Sequence, residues 1–86
     1  MSEQDRPPTT AEIANVLRAL VDGSMTRESA VRWASIWAIT KADDVHDVRL
    51  LRTLERIASV DLVSTDRPYL YGKEDFTVWL TELLAK

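Results

Sequence analysis

The stretch Thr26-Arg27-Glu28-Ser29-Ala30-Val31-Arg32-Trp33-Ala34-Ser35-Ile36-Trp37-Ala38-Ile39-Thr40 decides the fold. Ala30, Trp33, Ala34, Trp37 and Ala38 recur at the three- and four-residue spacing of a helix with one apolar face. Alternation of small and very large side chains lets a second helix approach at the Ala positions while the Trp rings fill the space between. Thr26 is placed as the N-cap, its hydroxyl accepting from a first-turn N–H group that the helix itself leaves unpaired. Glu28 then sits at the positive end of the helix dipole, and Met25 is positioned to staple onto Ala30. Ile36 and Ile39 fall off the stripe, so this helix either runs centrally through the fold or offers a second face to a partner. Trp33, Trp37 and, further on, Trp79 all lie within apolar stripes and read as core.

On the N-terminal side, a helix is expected from Thr9 or Thr10 to Asp22, ending before Gly23. Thr9 and Glu12 have the spacing of a capping box, and Ile13, Val16, Leu17, Leu20 and Val21 share a face. Residues 1–9, with the pair Pro7-Pro8 and no periodicity, read as a disordered tail that precedes a single domain over 10–86. On the C-terminal side, Lys41 to Asp47 is an acid-rich linker. Asp44 or Asp47 caps a third helix that reaches about Val60, with Leu50, Leu51, Leu54, Ile57 and Ala58 inward. Residues 61–72 contain Pro68 and Gly72 and lack a helical period, which predicts a long ordered loop. The last helix is expected over Lys73 to Ala85, with Glu74 and Asp75 in its first turn and Phe76, Trp79, Leu80, Leu83 and Leu84 on one face.

These readings give an all-α fold: a compact bundle or orthogonal array of four helices, with a long ordered loop before the last one. At 86 residues there is apolar surface for one core only. The 45% apolar and 29% charged composition is that of a folded globule rather than a disordered chain.

Composition also removes whole classes of chemistry. With no Cys there is no disulfide framework, thiolate metal site or thiol nucleophile. With only Gly23 and Gly72, a glycine-rich phosphate loop cannot be built. His46 stands alone between Asp44 and Asp47 at a helix start, where capping accounts for the acids; no metal site is expected. The pairs Asp43-Asp44 and Glu74-Asp75 lie in first turns, where free backbone N–H groups explain them without catalysis. No catalytic residue and no cofactor are expected, and the chain reads as a non-enzyme. No apolar run is long enough to span a membrane, and Met1 to Pro8 has no signal-peptide character, so a cytoplasmic location is expected.

Binding is what remains. Arg49, Arg52 and Arg56 are spaced as a stripe on the third helix, opposite its Leu and Ile face. Such a stripe either meets phosphates or is simply a solvated face; the net charge of -3 favours the second and ranks nucleic acid last among partners. The segment Asp66-Arg67-Pro68-Tyr69-Leu70-Tyr71 joins Tyr and Arg, which are enriched at binding hot spots, in a chain stiffened by Pro. Alternatively, its rings dock the loop onto the bundle.

The run Met25 to Ala34, together with Tyr69 to Leu80, resembles small uncharacterised helical proteins of soil bacteria. In size and helix-first layout the chain is also similar to colicin-type immunity proteins, which inhibit a cognate toxin by covering its active site. That resemblance implies a module binding another protein, a toxin or regulatory partner. Asp43, Asp44 and Asp47 of the linker and Asp66, Arg67, Tyr69 and Tyr71 of the loop are the candidate partner-binding residues. The alternative is a self-associating homodimer using Ile36, Ile39 or Val78, followed by a nucleic-acid binder using the Arg stripe.

Overall fold

The computed structural model describes residues 7–62 and 71–85. Its elements in chain order are α1 (Thr10–Asp22), α2 (Arg27–Ser35), a π-helical turn (Ile36–Thr40), a 3-10 turn (Ala42–Asp44), α3 (Val48–Ile57) and α4 (Lys73–Leu84). Among the described residues there is no strand. The fold is all-α, with four α-helices among the described residues.

Each helix starts where a side chain can satisfy its unpaired N–H groups. The Thr9 hydroxyl accepts from the Glu12 backbone N–H at 3.1 Å, and the Thr9 N–H donates to Glu12 Oε1 at 3.3 Å, completing the capping box. Thr26 accepts from the Ser29 N–H at 3.1 Å. Of the two candidate caps for α3, Asp47 performs the role, accepting from the Arg49 N–H at 2.8 Å. At α4 the Gly72 N–H donates to Asp75 at 2.8 Å. A cap of this kind contributes about 1 kcal/mol.

α1 ends at Gly23, whose φ of 83° lies in the left-handed region that side chains disfavour. The turn is closed by a Met25 N–H bond to the Ala19 carbonyl at 3.2 Å and a Ser24 N–H bond to Asp22 at 2.8 Å. Hydrogen bonds from the Ser24 side chain and backbone hold the Asp22 carboxyl below its ordinary pKa range.

The core forms chiefly where α1 crosses α4. Ile13 and Leu17 from α1, Leu54 and Ile57 from α3, and Phe76 from α4 are all at most 1% exposed. Trp37 and Trp79 are buried at the edge of this cluster. Phe76 and Trp79 pack with ring centroids 5.6 Å apart, and Tyr71 meets Trp79 edge-on at 5.0 Å. Arg27 ties the start of α2 to the turn that follows α3, donating to the Val60 carbonyl at 2.7 Å while lying over the Phe76 ring.

The sequence expectations differ from the structure at four places. The second helix does reach Thr40, but its last turn is π-helical, with the Lys41 N–H bonded to the Ile36 carbonyl at 2.7 Å. Trp37 is buried in that turn, whereas Ile39 is 75% exposed. Trp33 is only half-buried, and Leu84, in the last turn of α4, is 48% exposed instead of core. α3 is shorter than expected: it ends at Ile57, and hydrogen-bonded turns carry the chain past Val60.

Candidate nucleic-acid interface

The Leu54 and Ile57 face of α3 is committed to the core. At a rotation of about 100° per residue, Arg49, Arg52 and Arg56 fall within about 60° of one another, roughly 140° from the mean direction of Leu54 and Ile57. On α3 itself they lie away from the apolar face, as expected; the spacing did not show what stands beside them. They border the core and turn toward α4, where they line a groove of about 270 Å³ together with Thr53, Glu82 and Leu83.

The three guanidinium groups have different tasks there. Arg49 donates to the carbonyl of Ala85 at 3.0 Å. That carbonyl lies at the end of α4, whose last turn has no basic residue of its own, so Arg49 supplies from α3 the positive charge that a helix C-terminus favours. Arg56 donates to Glu82 Oε2 at 2.6 Å and lies over the Trp79 ring, 5.8 Å from its centroid. Arg52 is exposed and, among the described residues, makes no hydrogen bond or ion pair. Thr53 forms the floor of the groove. It is 5% exposed, and its hydroxyl donates back to the Arg49 carbonyl at 2.9 Å, so it brings no unpaired group to the site.

Other described arginines are engaged locally or in the fold: Arg18 with Asn15, Arg27 with the Val60 carbonyl, and Arg32 with Glu28. Three of the six described arginines line the α3–α4 groove.

Of the residues expected to bind a protein partner, Asp43, Asp44, Asp47 and Tyr71 are among those described. Asp43 and Asp44 are exposed on the 3-10 turn, and Asp47 is used as the α3 cap. Asp66, Arg67 and Tyr69 lie outside the described residues. Tyr71 is half-buried against Trp79, as expected for a ring that docks the loop on the bundle. Ile39 and Val78 are exposed, whereas Ile36 packs against the core. His46 is exposed, and among the described residues no three His, Asp or Glu side chains are grouped as metal ligands.

Comparison with known proteins gives this geometry a context. The family described as "YxzC DNA-binding protein" matches residues 3–83. The chain belongs to the YxzC family. A relative from Bacillus subtilis (strain 168), the uncharacterized protein YxzC, is 25% identical over 71 residues, covering 83% of this chain. The chain spans 58% of that relative's length. No solved structure matches.

Membership of the YxzC family bears out the resemblance to uncharacterised bacterial proteins. It also overturns the expectation of a protein-binding, immunity-type module, and the placing of nucleic acid last among partners, because the family is described as DNA-binding. The physical source of the error is the use of net charge. A total of -3 averages over the whole chain, whereas a phosphate meets a local field. Acid on the linker and at helix starts is counted in that total although, among the described residues, the groove lining holds Arg49, Arg52 and Arg56 and one carboxylate, Glu82. The stripe itself was readable as a possible phosphate contact; what sequence spacing missed was its wall on α4.

Proposed function

We propose that this chain is a non-catalytic DNA-binding protein that engages the phosphate backbone through the arginine face of α3. The observation that carries the reading is the convergence of Arg49, Arg52 and Arg56 on one solvent-open groove, with Arg52 unpartnered among the described residues. Guanidinium groups are suited to phosphate because their planar N–H array matches pairs of phosphate oxygens. Family membership supports the same reading. A cytoplasmic location accords with it, and no helix among the described residues is long and apolar enough to cross a membrane.

The arrangement favours backbone contact over base readout. Arginines at successive turns of a short helix, beside a second helix, can follow a line of phosphates. Few phosphates are contacted, so affinity should be modest and strongly dependent on salt.

The test is fluorescence anisotropy of a labelled DNA duplex titrated with the whole chain at several salt concentrations. Affinity should fall as salt rises, with a log–log slope of roughly -2 to -3 for two or three phosphate contacts. Arg52→Ala should make that slope shallower by about 1 and weaken binding similarly across sequences. Binding that is absent at low salt, or that Arg52→Ala leaves unchanged in affinity and slope, would refute the assignment.

A further inference from the structure

The DNA-binding reading leaves one feature of the groove unexplained: a carboxylate stands within it. Glu82 accepts from Arg56 at 2.6 Å, across 26 positions of sequence. A surface ion pair of this sort contributes little to stability, about 0–1 kcal/mol, and a glutamate facing a DNA strand should oppose binding. Its place at the groove wall sets it in direct competition with any phosphate that approaches Arg56.

Resting on the DNA-binding reading, we propose that Arg56 is a phosphate site which Glu82 occupies in the free protein and which a backbone phosphate takes over in the complex. A carboxylate oxygen and a phosphate oxygen make the same charge-assisted hydrogen bond to guanidinium, so one replaces the other without rebuilding the donor. The geometry suits an exchange. Arg56 is held from beneath by the Trp79 ring, 5.8 Å away, which keeps the guanidinium in place when its partner leaves. Glu82 has a side chain 55% exposed, on the helical surface of α4, and can swing into water. Arg56 is 34% exposed, open enough to be reached from the groove.

Arg52 and Arg56 thus differ in kind. Arg52 is available to a phosphate at once, whereas Arg56 exchanges one anion for another. Glu82 lowers affinity for any polyanion, and the loss is recovered only when a phosphate arrives at the Arg56 position. The pair acts as a threshold against weak, diffuse binding while keeping Arg56 positioned.

The experiment compares duplex binding by the wild type, Glu82→Gln, Arg56→Ala and the double variant Glu82→Gln/Arg56→Ala, with Glu55→Gln as a control for charge removal elsewhere on an exposed helical surface. Circular dichroism melting checks that each variant is folded. Releasing Arg56 should tighten binding by about 3- to 10-fold in Glu82→Gln with the salt slope little changed, because the Arg56–phosphate contact is made in both complexes, whereas Arg56→Ala should flatten the slope by about 1. The gain should exceed that of Glu55→Gln and disappear in the Arg56→Ala background. If the wild type binds DNA and the gain is no larger than the control, or survives in the double variant, Glu82 acts only through general repulsion and the exchange is refuted. If neither wild type nor Glu82→Gln binds duplex at any salt, the DNA-binding reading fails and the exchange falls with it.

Discussion

α4 is shared by two contacts of opposite character. Along the α1–α4 seam it contributes Phe76 and Leu83 to a cluster with Ile13 and Leu17, from which water is excluded. Along the α3–α4 groove it contributes Glu82 and the carbonyl of Ala85 to Arg56 and Arg49. The seam is held by area removed from water, at roughly 25 cal/mol per Å², and has no polar chemistry to offer a ligand. The groove is held by exposed, individually weak polar contacts that an incoming anion can replace. The difference separates fold from function within a single helix: one side is expensive to disturb, and the other is cheap to rearrange.

That contrast can be broken at either side. The largest effect is expected at the seam. Phe76→Ala removes a ring that is 1% exposed and should destabilise the fold by about 3–5 kcal/mol, read as a lowered midpoint in urea unfolding. A cost below about 1 kcal/mol would show that Phe76 is not a centre of the core.

An intermediate effect is expected where the groove helix begins. Asp47→Ala removes the N-cap of α3 and should cost about 1 kcal/mol. Asp47→Ser should recover most of it, because a hydroxyl can accept the same N–H bond. Equal losses in both variants would remove capping as the role of Asp47.

At the open end of the groove the expected stability effect is the smallest. Arg52→Ala, lacking a folded-state partner among the described residues, should alter stability by no more than about 0.5 kcal/mol while flattening the salt dependence of DNA binding. Thermal melting alongside the anisotropy measurement checks both halves, and a large drop in melting temperature would place Arg52 in the fold instead of at the ligand.

The same division explains what was legible in the sequence. The seam follows from periodicity: Ile13 with Leu17, and Phe76 with Leu83, lie on single helical faces, and Thr9, Thr26 and Asp47 announce the helix starts through local hydrogen bonds. Such signals span three or four residues and survive without knowledge of the rest of the chain. The groove depends on partners 26 and 36 positions apart, Arg56 with Glu82 and Arg49 with Ala85, which no local spacing contains. Spacing could place the stripe on a solvated face, which Arg52 keeps, but not its wall on α4, and reading net charge as a guide to partners failed because the total averages over the whole chain. The π-helical form of the turn was equally hidden, since its Lys41 to Ile36 bond departs from the regular α-helical pattern on which periodicity relies, although the off-stripe position of Ile39 does predict its exposure.

The central claim is that the groove between α3 and α4 is the DNA face. It is tested most directly by recording amide and arginine side-chain NMR spectra of the labelled protein while adding a short DNA duplex at low salt. The account predicts that shifts concentrate at Arg49, Arg52, Arg56 and Glu82, with the exposed α1 residues Asn15 and Arg18 unmoved. Perturbations centred on α1, or on the 3-10 turn at Asp43 and Asp44, with the groove resonances unchanged, would contradict it.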